Sequence, residues 1–223
     1  MSFDVALAPW QQRMHDHAAA AIDAGRMGHA LLFCGPSMLG KRLVAERLAQ
    51  RVLCQAPDMG LRPCGQCRAC ALFCSRSQKE PMEQRPDGSL SHPWGHPGHP
   101  DAILVGHAWR MTPSPPRQLS VIPVDQVREL SARLSTTPQY GDAKVAIIDP
   151  ADDMNDAAAN ALLKTLEEPV PGRYLWLLSA NPARLPATIR SRCQRLDFRL
   201  PPADEAVAWL RARGHADAVA AEA

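Results

Sequence analysis

The chain has 223 residues and a formal net charge of +2, with 46% hydrophobic and 22% charged residues. This length holds one full domain with small appendages, the composition is ordinary for a globular protein, and the balanced charge excludes a global attraction to nucleic acid. Because no apolar run approaches the roughly 18 residues of a membrane span, and the stretch MSFDVALAPWQQRMHDH has no export signal, we expect a cytoplasmic protein.

Helices and strands alternate along most of the chain. Apolar residues at helical spacing predict helices from Pro9 to about Gly25 and over Lys41–Leu53, Val124–Leu134 and Asp156–Glu168, with another starting after Pro201. Short apolar runs predict buried strands at His29–Cys34, Asp101–Val105, Lys144–Asp149, Tyr174–Ala180 and Arg195–Phe198. Strands that alternate with helices indicate an α/β fold, with a parallel sheet covered on both faces.

The segment from Ser75 to Pro123 differs from the rest. It contains nine of the 21 prolines and the text SHPWGHPGHP. This composition predicts a loop or partly disordered insertion without a core of its own. We therefore expect His92, His96 and His99 to be flexible-loop residues, with weak metal binding as the alternative.

A phosphate loop is suggested by Gly35-x4-Gly40-Lys41, which lies between a predicted strand and a predicted helix. Backbone N–H groups of such a loop point at an anion, and the helix dipole adds positive charge. Arg42 stands where Ser or Thr would bind Mg²⁺. Two interpretations stay open at this point: a loop that still binds phosphate, and a tight glycine turn without a ligand.

The strand KVAIID supplies an independent test of hydrolysis. Its Asp149 matches the metal-associated acid of ATPases of this type, but Pro150 replaces the Glu that activates water. Asp152 and Asp153 follow, and we interpret them as solvated acids and a helix N-cap. Because two catalytic positions are lost, the sequence predicts a degenerate ATPase fold.

Five cysteines crowd into one short stretch of the chain. Cys54, Cys64, Cys67 and Cys70 offer four thiolates at the spacing of a closed tetrahedral zinc site. The alternatives are free thiols and a Cys-x-x-Cys redox pair, although the redox pair lacks a thioredoxin-like context. We predict structural zinc and leave Cys74 outside the site.

Two arginines precede the last predicted strand in LPATIRSRCQRLDF. Arg190 and Arg192 suit an exposed phosphate clamp, or are surface residues at a helix end. Together with ANALLKTLEEP, LPATIRSRC, the four cysteines and HPD (His99 to Asp101), they make the chain resemble the bacterial DNA polymerase III clamp-loader subunits. These are AAA+ ATPases of the P-loop class. The resemblance runs from about Ala8 to Leu200.

Within that family, Gly-Lys-Arg and Asp-Pro resemble the non-hydrolysing delta-prime branch, whereas the active gamma/tau branch carries Gly-Lys-Thr and Asp-Glu. The resemblance implies a subunit of a nucleotidyltransferase holoenzyme that has no ATPase activity by itself. It also implies gamma/tau and delta partners, with the sliding clamp and primed DNA reached through the complex. Arg192 corresponds to an arginine finger for the neighbour's ATP, and Ser179 to Asn181 lie at the family's phosphate sensor. ATP binding at Gly35, Gly40, Lys41 and Asp149 is left open.

The same resemblance predicts the domain organisation. Residues 1–200 form the AAA+ domain, with a zinc module at 54–74 and the Pro/His-rich insertion at 75–98, and residues 201–223 begin a helical lid. The collar domain of the family is absent, so we expect a fragment or a truncated gene.

Two other functions remain open: an active gamma/tau-like ATPase, and a zinc-dependent interaction or DNA-binding module. Arg42 and Pro150 argue against the first. The second is disfavoured because only Arg62 and Arg68 add positive charge near the cysteines.

Overall fold

The computed structural model describes residues 5–58, 60, 62–85, 87–112 and 114–214, and a parallel sheet lies at its centre. In chain order the strands are β1 Ala30–Cys34, β2 Arg76–Ser77, β3 His96–Pro97, β4 Ala102–Val105, β5 Trp109–Arg110, β6 Arg117–Gln118, β7 Lys144–Ile148, β8 Arg173–Ser179 and β9 Gln194–Asp197. Five of them form the sheet, in the order β4-β7-β8-β1-β9 with every neighbouring pair parallel. The predicted α/β architecture is confirmed.

Helices cover both faces of this sheet. They are α1 Pro9–Asp23, α2 Lys41–Leu53, α3 Arg68–Cys74, α4 Val124–Ser135, α5 Asp156–Glu167, α6 Ala187–Arg190 and α7 Ala203–Ala212. Neighbouring residues of a strand point to opposite faces, so Leu31 and Phe33 of β1 pack with α1 and α2, whereas Leu32 packs with α4 and α5. The inner strands β1 and β7 are buried along their whole length, which explains their apolar sequences, whereas the edge strand β9 buries only Leu196.

The segment between Ser75 and Pro123 is more ordered than predicted. In its described part, β2 pairs antiparallel with β3, and β5 pairs antiparallel with β6. Glu83, His92 and His99 are buried and His96 lies in β3, so the expectation of flexible-loop histidines is wrong for all three. Composition misled because this segment is fixed by buried polar contacts rather than by apolar residues, and such contacts leave no periodic pattern.

The short helices α3 and α6 were not predicted from the sequence. The predicted helix after Pro201 is present as α7, and the end of the predicted lid, 215–223, lies outside the described residues. Among the helices that the structure describes, none has the length and apolar character needed to cross a membrane.

Candidate functional site

The loop between β1 and α2 requires glycine at both ends of its motif. Gly35 has φ +143°, and a Cβ there would lie 2.3 Å from the Phe198 carbonyl oxygen. Gly40 has φ +80°, and its Cβ would lie 2.1 Å from Nε2 of Gln11. The backbone of Phe198 excludes a side chain at position 35, whereas at position 40 it is the positive φ that favours glycine, because the Gln11 side chain could move away.

Lys41 begins α2 and turns back into the loop. Its Nζ donates hydrogen bonds to the carbonyl oxygens of Gly35 (2.6 Å) and Pro36 (2.8 Å). Burial lowers the pKa of the Lys41 ammonium, and the charges of Asp149 and Asp152 partly oppose this. The positive charge is therefore held within the loop, at the carboxyl end of β1.

Arg42 connects the loop helix to the acidic strand end. Its Nε donates to Oε1 of Glu46 at 2.7 Å, and its Nη1 lies 3.6 Å from Oδ2 of Asp149. The same Nη1 is 3.4 Å from Nε2 of His92 in the insertion. Only 11% of the Arg42 side chain is exposed. The guanidinium thus occupies the space between residue 42 and Asp149, where the motif would otherwise place a metal ion.

The residues after Asp149 are less solvated than predicted. Pro150 follows directly, and Asp152 is 7% exposed. Oδ2 of Asp152 accepts hydrogen bonds from the backbone N–H groups of Ala180 and Asn181, both at 2.8 Å. The interpretation of Asp152 as a solvated acid is wrong, because its carboxylate fixes the loop that follows β8.

Asp153 is also engaged, and it is not the helix cap. Its two carboxylate oxygens meet His107 Nε2 and Arg184 Nη1, each at 3.0 Å. The cap of α5 is Asn155, whose side chain accepts a hydrogen bond from the Ala158 N–H at 2.8 Å. This amide satisfies one of the unpaired donors of the first helical turn.

The insertion is fastened to α2 by a chain of buried charges. Arg76 donates to the other carboxylate oxygen of Glu46 and to the Gly95 carbonyl oxygen. Glu46 is 1% exposed and so bridges two guanidiniums, those of Arg42 and Arg76, away from water. His92 continues the chain from Arg42 to Glu83, with 2.5 Å between His92 Nε2 and Glu83 Oε2.

Burial and hydrogen bonds together set the protonation states of His92, His96 and Glu83. It lowers the pKa of His92, and it lowers the pKa of His96 to about 3. Burial opposes ionisation of Glu83 as well, but hydrogen bonds from His92 and Lys79 outweigh it and hold the Glu83 pKa at about 2. At neutral pH the cluster therefore contains two neutral imidazoles and one carboxylate.

The four cysteines predicted as metal ligands lie together. The Sγ atoms of Cys54, Cys64, Cys67 and Cys70 are all within 4.8 Å of one another. Two tetrahedral ligands about 2.3 Å from one zinc ion are about 3.8 Å apart, and Cys54 Sγ and Cys67 Sγ are separated by 3.9 Å. The group could hold a metal ion, and its four soft donors fit zinc.

Backbone amides support the same cysteine cluster. The N–H of Cys67 points at Cys64 Sγ (3.3 Å), and the N–H of Cys70 points at Cys67 Sγ (3.4 Å). Amides from Cys67 and Gln66 lower the pKa of the Cys64 thiol to about 6, whereas burial raises the pKa of Cys70. Hydrogen bonds of this kind stabilise thiolates, which are the form that binds metal. Cys74 is outside the cluster, where Gln50 Nε2 donates to its sulfur at 3.3 Å.

The two arginines near β9 have different surroundings. Arg192 is exposed, with Nη2 2.7 Å from Oε1 of Glu167 and Nη1 donating to the Thr188 carbonyl oxygen. Arg190 is half-buried at the end of α6. Arg192 lies just before β9, and Gly35 lies just after the neighbouring parallel strand β1. The two residues are therefore at opposite ends of the parallel strands. Arg192 does not face the phosphate loop of its own chain.

Glu46 and Glu83 were missed from the sequence, and so were the partners of Arg42 and Asp152. Arg42 and Glu46 have the i,i+4 spacing of a helical ion pair, which was a usable signal. No local signal joins Asp152 to the backbone of residues 180 and 181. Glu83 has Lys79 at helical spacing, but no local signal joins it to His92, nine residues later, or to His96.

Comparison with known proteins identifies the family of the chain. A family model described as "DNA polymerase III, delta subunit" matches residues 10–202. DNA polymerase III subunit delta' of Pseudomonas aeruginosa is 36% identical over 202 residues, which are 91% of this chain and 52% of the relative. The subunit delta' of Escherichia coli is 35% identical over 203 residues, 91% of this chain and 52% of the relative. The chain thus spans about half the length of these curated relatives.

More distant matches were also found. DNA polymerase III subunit tau of Bacillus subtilis is 32% identical over 174 residues, 78% of this chain and 25% of the relative. Among solved structures, a DNA polymerase III gamma subunit-related protein from Thermotoga maritima has a TM-score of 0.47 and 19% identity, covering 84% of this chain and 46% of that one. From the family match and the identity to the delta' relatives, the chain belongs to the DNA polymerase III delta-prime family.

Proposed function

We propose that this chain acts as a non-hydrolysing delta-prime subunit of the clamp loader of DNA polymerase III. In this role it helps to load the sliding clamp onto primed DNA, together with gamma/tau and delta subunits. The observation that carries the proposal is the Arg42 guanidinium between Glu46 and Asp149, next to Pro150. These residues form an ATPase-like site from which the groups for hydrolysis have been replaced.

The electrostatics of this site oppose Mg²⁺. A magnesium ion would need the hydroxyl that Arg42 replaces, and it would lie beside a permanently charged guanidinium. Glu46 and Asp149 already neutralise that guanidinium, so they are not free carboxylates waiting for a cation. Without Mg²⁺ and without an acid at position 150, a bound nucleotide has neither charge neutralisation nor an activated water.

Turnover by the isolated chain tests this part of the proposal. We expect phosphate release from ATP to equal that of the Lys41→Ala variant, since neither has a working site. Arg42→Thr alone should not restore turnover, because Pro150 still replaces the acid. Phosphate release by the wild-type chain above the Lys41→Ala level would contradict the proposal and favour an active gamma/tau-like ATPase.

Arg192 is proposed to act on the ATP of a neighbouring subunit. It is exposed, and it lies at the end of the parallel strands opposite its own phosphate loop. It is therefore accessible to a neighbouring subunit rather than to its own loop. Glu167 and the Thr188 carbonyl hold the guanidinium while no phosphate is present. An arginine supplied in trans neutralises charge that develops during phosphoryl transfer, with effects on the order of 10³–10⁵ in related GTPases.

A mutation in an assembled complex tests the arginine finger. Arg192→Ala, made in a version of the subunit that assembles with gamma/tau and delta, should lower DNA-stimulated ATP turnover while complex formation stays intact. Arg192→Lys should rescue poorly, because an ammonium does not offer the planar fork of a guanidinium. Arg190→Ala is the matched control, two residues earlier. If turnover were unchanged in Arg192→Ala but reduced in Arg190→Ala, the proposal would have named the wrong arginine.

The remaining parts of the proposal concern architecture. Residues 1–200 form the AAA+ domain, residues 201–223 begin the helical lid, and Cys54, Cys64, Cys67 and Cys70 bind structural zinc. The support for zinc is the cluster of four sulfurs and the amides directed at them. Bound zinc would tie the end of α2 to α3, and so would stabilise the fold without taking part in chemistry.

A further inference from the structure

A second group of metal-binding side chains lies in the insertion. One carboxylate oxygen of Glu83 and one ring nitrogen each from His92 and His96 are within 4.8 Å of one another, with no cysteine involved. Glu83 and His92 are 5% and 4% exposed, and His96 is half-buried beside them, with 4.4 Å between the two ring centroids. We propose that these three residues bind a divalent transition-metal ion of the zinc type, which fastens the insertion beside the degenerate nucleotide site.

The donor set suits such an ion. Two imidazoles and one carboxylate are a frequent ligand set of zinc and other first-row metals, and solvent completes the coordination. His92 and His96 are separated by three residues, so one loop supplies both rings, while β3 fixes His96 against β2. One side chain of the set, Glu83, comes from an earlier turn of the insertion, so an ion bound here would cross-link two parts of the segment.

Small movements would bring the three donors to coordination distance. Ligands about 2 Å from a tetrahedral ion are about 3.3 Å apart. Glu83 Oε2 lies 2.5 Å from His92 Nε2 and 3.9 Å from His96 Nε2. The first distance must open and the second must close, each by less than about 1 Å. Without metal, the contact between His92 Nε2 and Glu83 Oε2 keeps the carboxylate next to the position that the ion would take.

The surrounding charges permit an additional cation. Arg42 Nη1 is 3.4 Å from His92 Nε2, but this guanidinium has Glu46 and Asp149 as its charge partners. Lys79 pairs with the other oxygen of Glu83 at 2.8 Å, and its side chain is 49% exposed, so it can turn into solvent. Glu46 and Asp149 balance the charges of Arg42 and Arg76, so the negative charge of Glu83 is left for the ion.

A structural polar cluster without metal is the competing explanation. It accounts for the hydrogen bond between Glu83 and His92, but it gives no reason for the second imidazole, His96, to lie 3.9 Å from the same carboxylate oxygen. The metal explains why all three side chains converge.

Zinc content decides between the two explanations. The 223-residue chain is produced with excess Zn²⁺, passed through metal-free buffer, and measured for zinc per chain by inductively coupled plasma mass spectrometry. We expect His96→Gln and Glu83→Gln to contain one zinc fewer than the wild type. The matched control, His107→Gln, removes a histidine that pairs with one carboxylate and no second imidazole, and should match the wild type.

The comparison does not depend on the cysteine site, because that site contributes equally to all of these variants. Equal zinc contents in the wild type and His96→Gln would overturn the proposal, whether or not the cysteines bind metal. A second measurement, made on His96→Gln, keeps the proposal testable if Glu83→Gln fails to fold. Competition with a chromophoric zinc indicator should show His96→Gln binding at least roughly 100-fold more weakly than the wild type, since even outer-shell partners contribute roughly 10–100-fold. Identical competition curves would also refute the site.

Discussion

Glu46→Gln tests whether buried charge holds the insertion on α2. The substitution keeps the shape of the side chain but removes the negative charge that two guanidiniums, Arg42 and Arg76, share. Removing one partner of a buried pair costs about 3–5 kcal/mol, because it leaves charge uncompensated away from water. Arg42 keeps Asp149, and Arg76 keeps the Gly95 carbonyl oxygen, so we expect the lower end, about 3 kcal/mol.

Urea unfolding at neutral pH measures this loss. In a chain of this size, losing about 1 kcal/mol of unfolding free energy lowers the thermal midpoint by about 2–4 °C. The midpoint of Glu46→Gln should therefore fall by about 6–12 °C. Limited proteolysis should also cut residues 75–98 faster in the variant. The control is Glu205→Gln, which removes a carboxylate from an exposed pair with Arg13 and should change stability far less. A loss below about 1 kcal/mol for Glu46→Gln would refute the reasoning, since that is the range of solvated surface pairs.

Three further predictions concern other parts of the chain. Cys67→Ser should reduce zinc content by one equivalent and lower the thermal midpoint, and chelation of the wild-type chain should lower the midpoint as well. Asp101→Asn should lower the free energy of unfolding by about 2–4 kcal/mol in urea, because the fully buried carboxylate accepts the backbone N–H groups of Gln139 and Tyr140; an unchanged midpoint would contradict this. Burial raises the pKa of the Cys193 thiol to about 12 from 9.0, so peptide mapping at pH 8 should show iodoacetamide labelling it about 10³-fold more slowly in the native chain than in urea, and equal rates would contradict it. Because the thiol pKa is higher in the folded state, Cys193 contributes fully to stability below pH 9, and this contribution is lost as pH rises towards 12.

The central fold could be predicted because its information is local. The helix expected over Lys41–Leu53 is α2 with the same bounds, since apolar spacing and a preceding glycine define both its face and its start. The buried strands were recognisable as apolar runs for the same reason. The convergence of Cys54 with the later cysteines was predictable because metal ligands follow fixed spacings.

The insertion could not be predicted in this way. Its order depends on pairs such as Arg76 with Glu46, which joins the insertion to α2, and Glu83 with His92, which joins two turns within the insertion. Prolines and glycines in the same segment suggested disorder, because composition reports the missing apolar core and not the buried ion pairs. The helix α3 was hidden for a related reason: its residues were already explained as part of a cysteine motif.

The contacts of Arg42 have a consequence for any attempt to build an ATPase from this chain. Arg42→Thr would supply the hydroxyl of the motif, but it would also leave Glu46 with one guanidinium instead of two and Asp149 without its ion pair. Under the proposed function, threonine alone would therefore lower stability without restoring hydrolysis, and the surroundings of residue 42 would have to be redesigned together with residue 150.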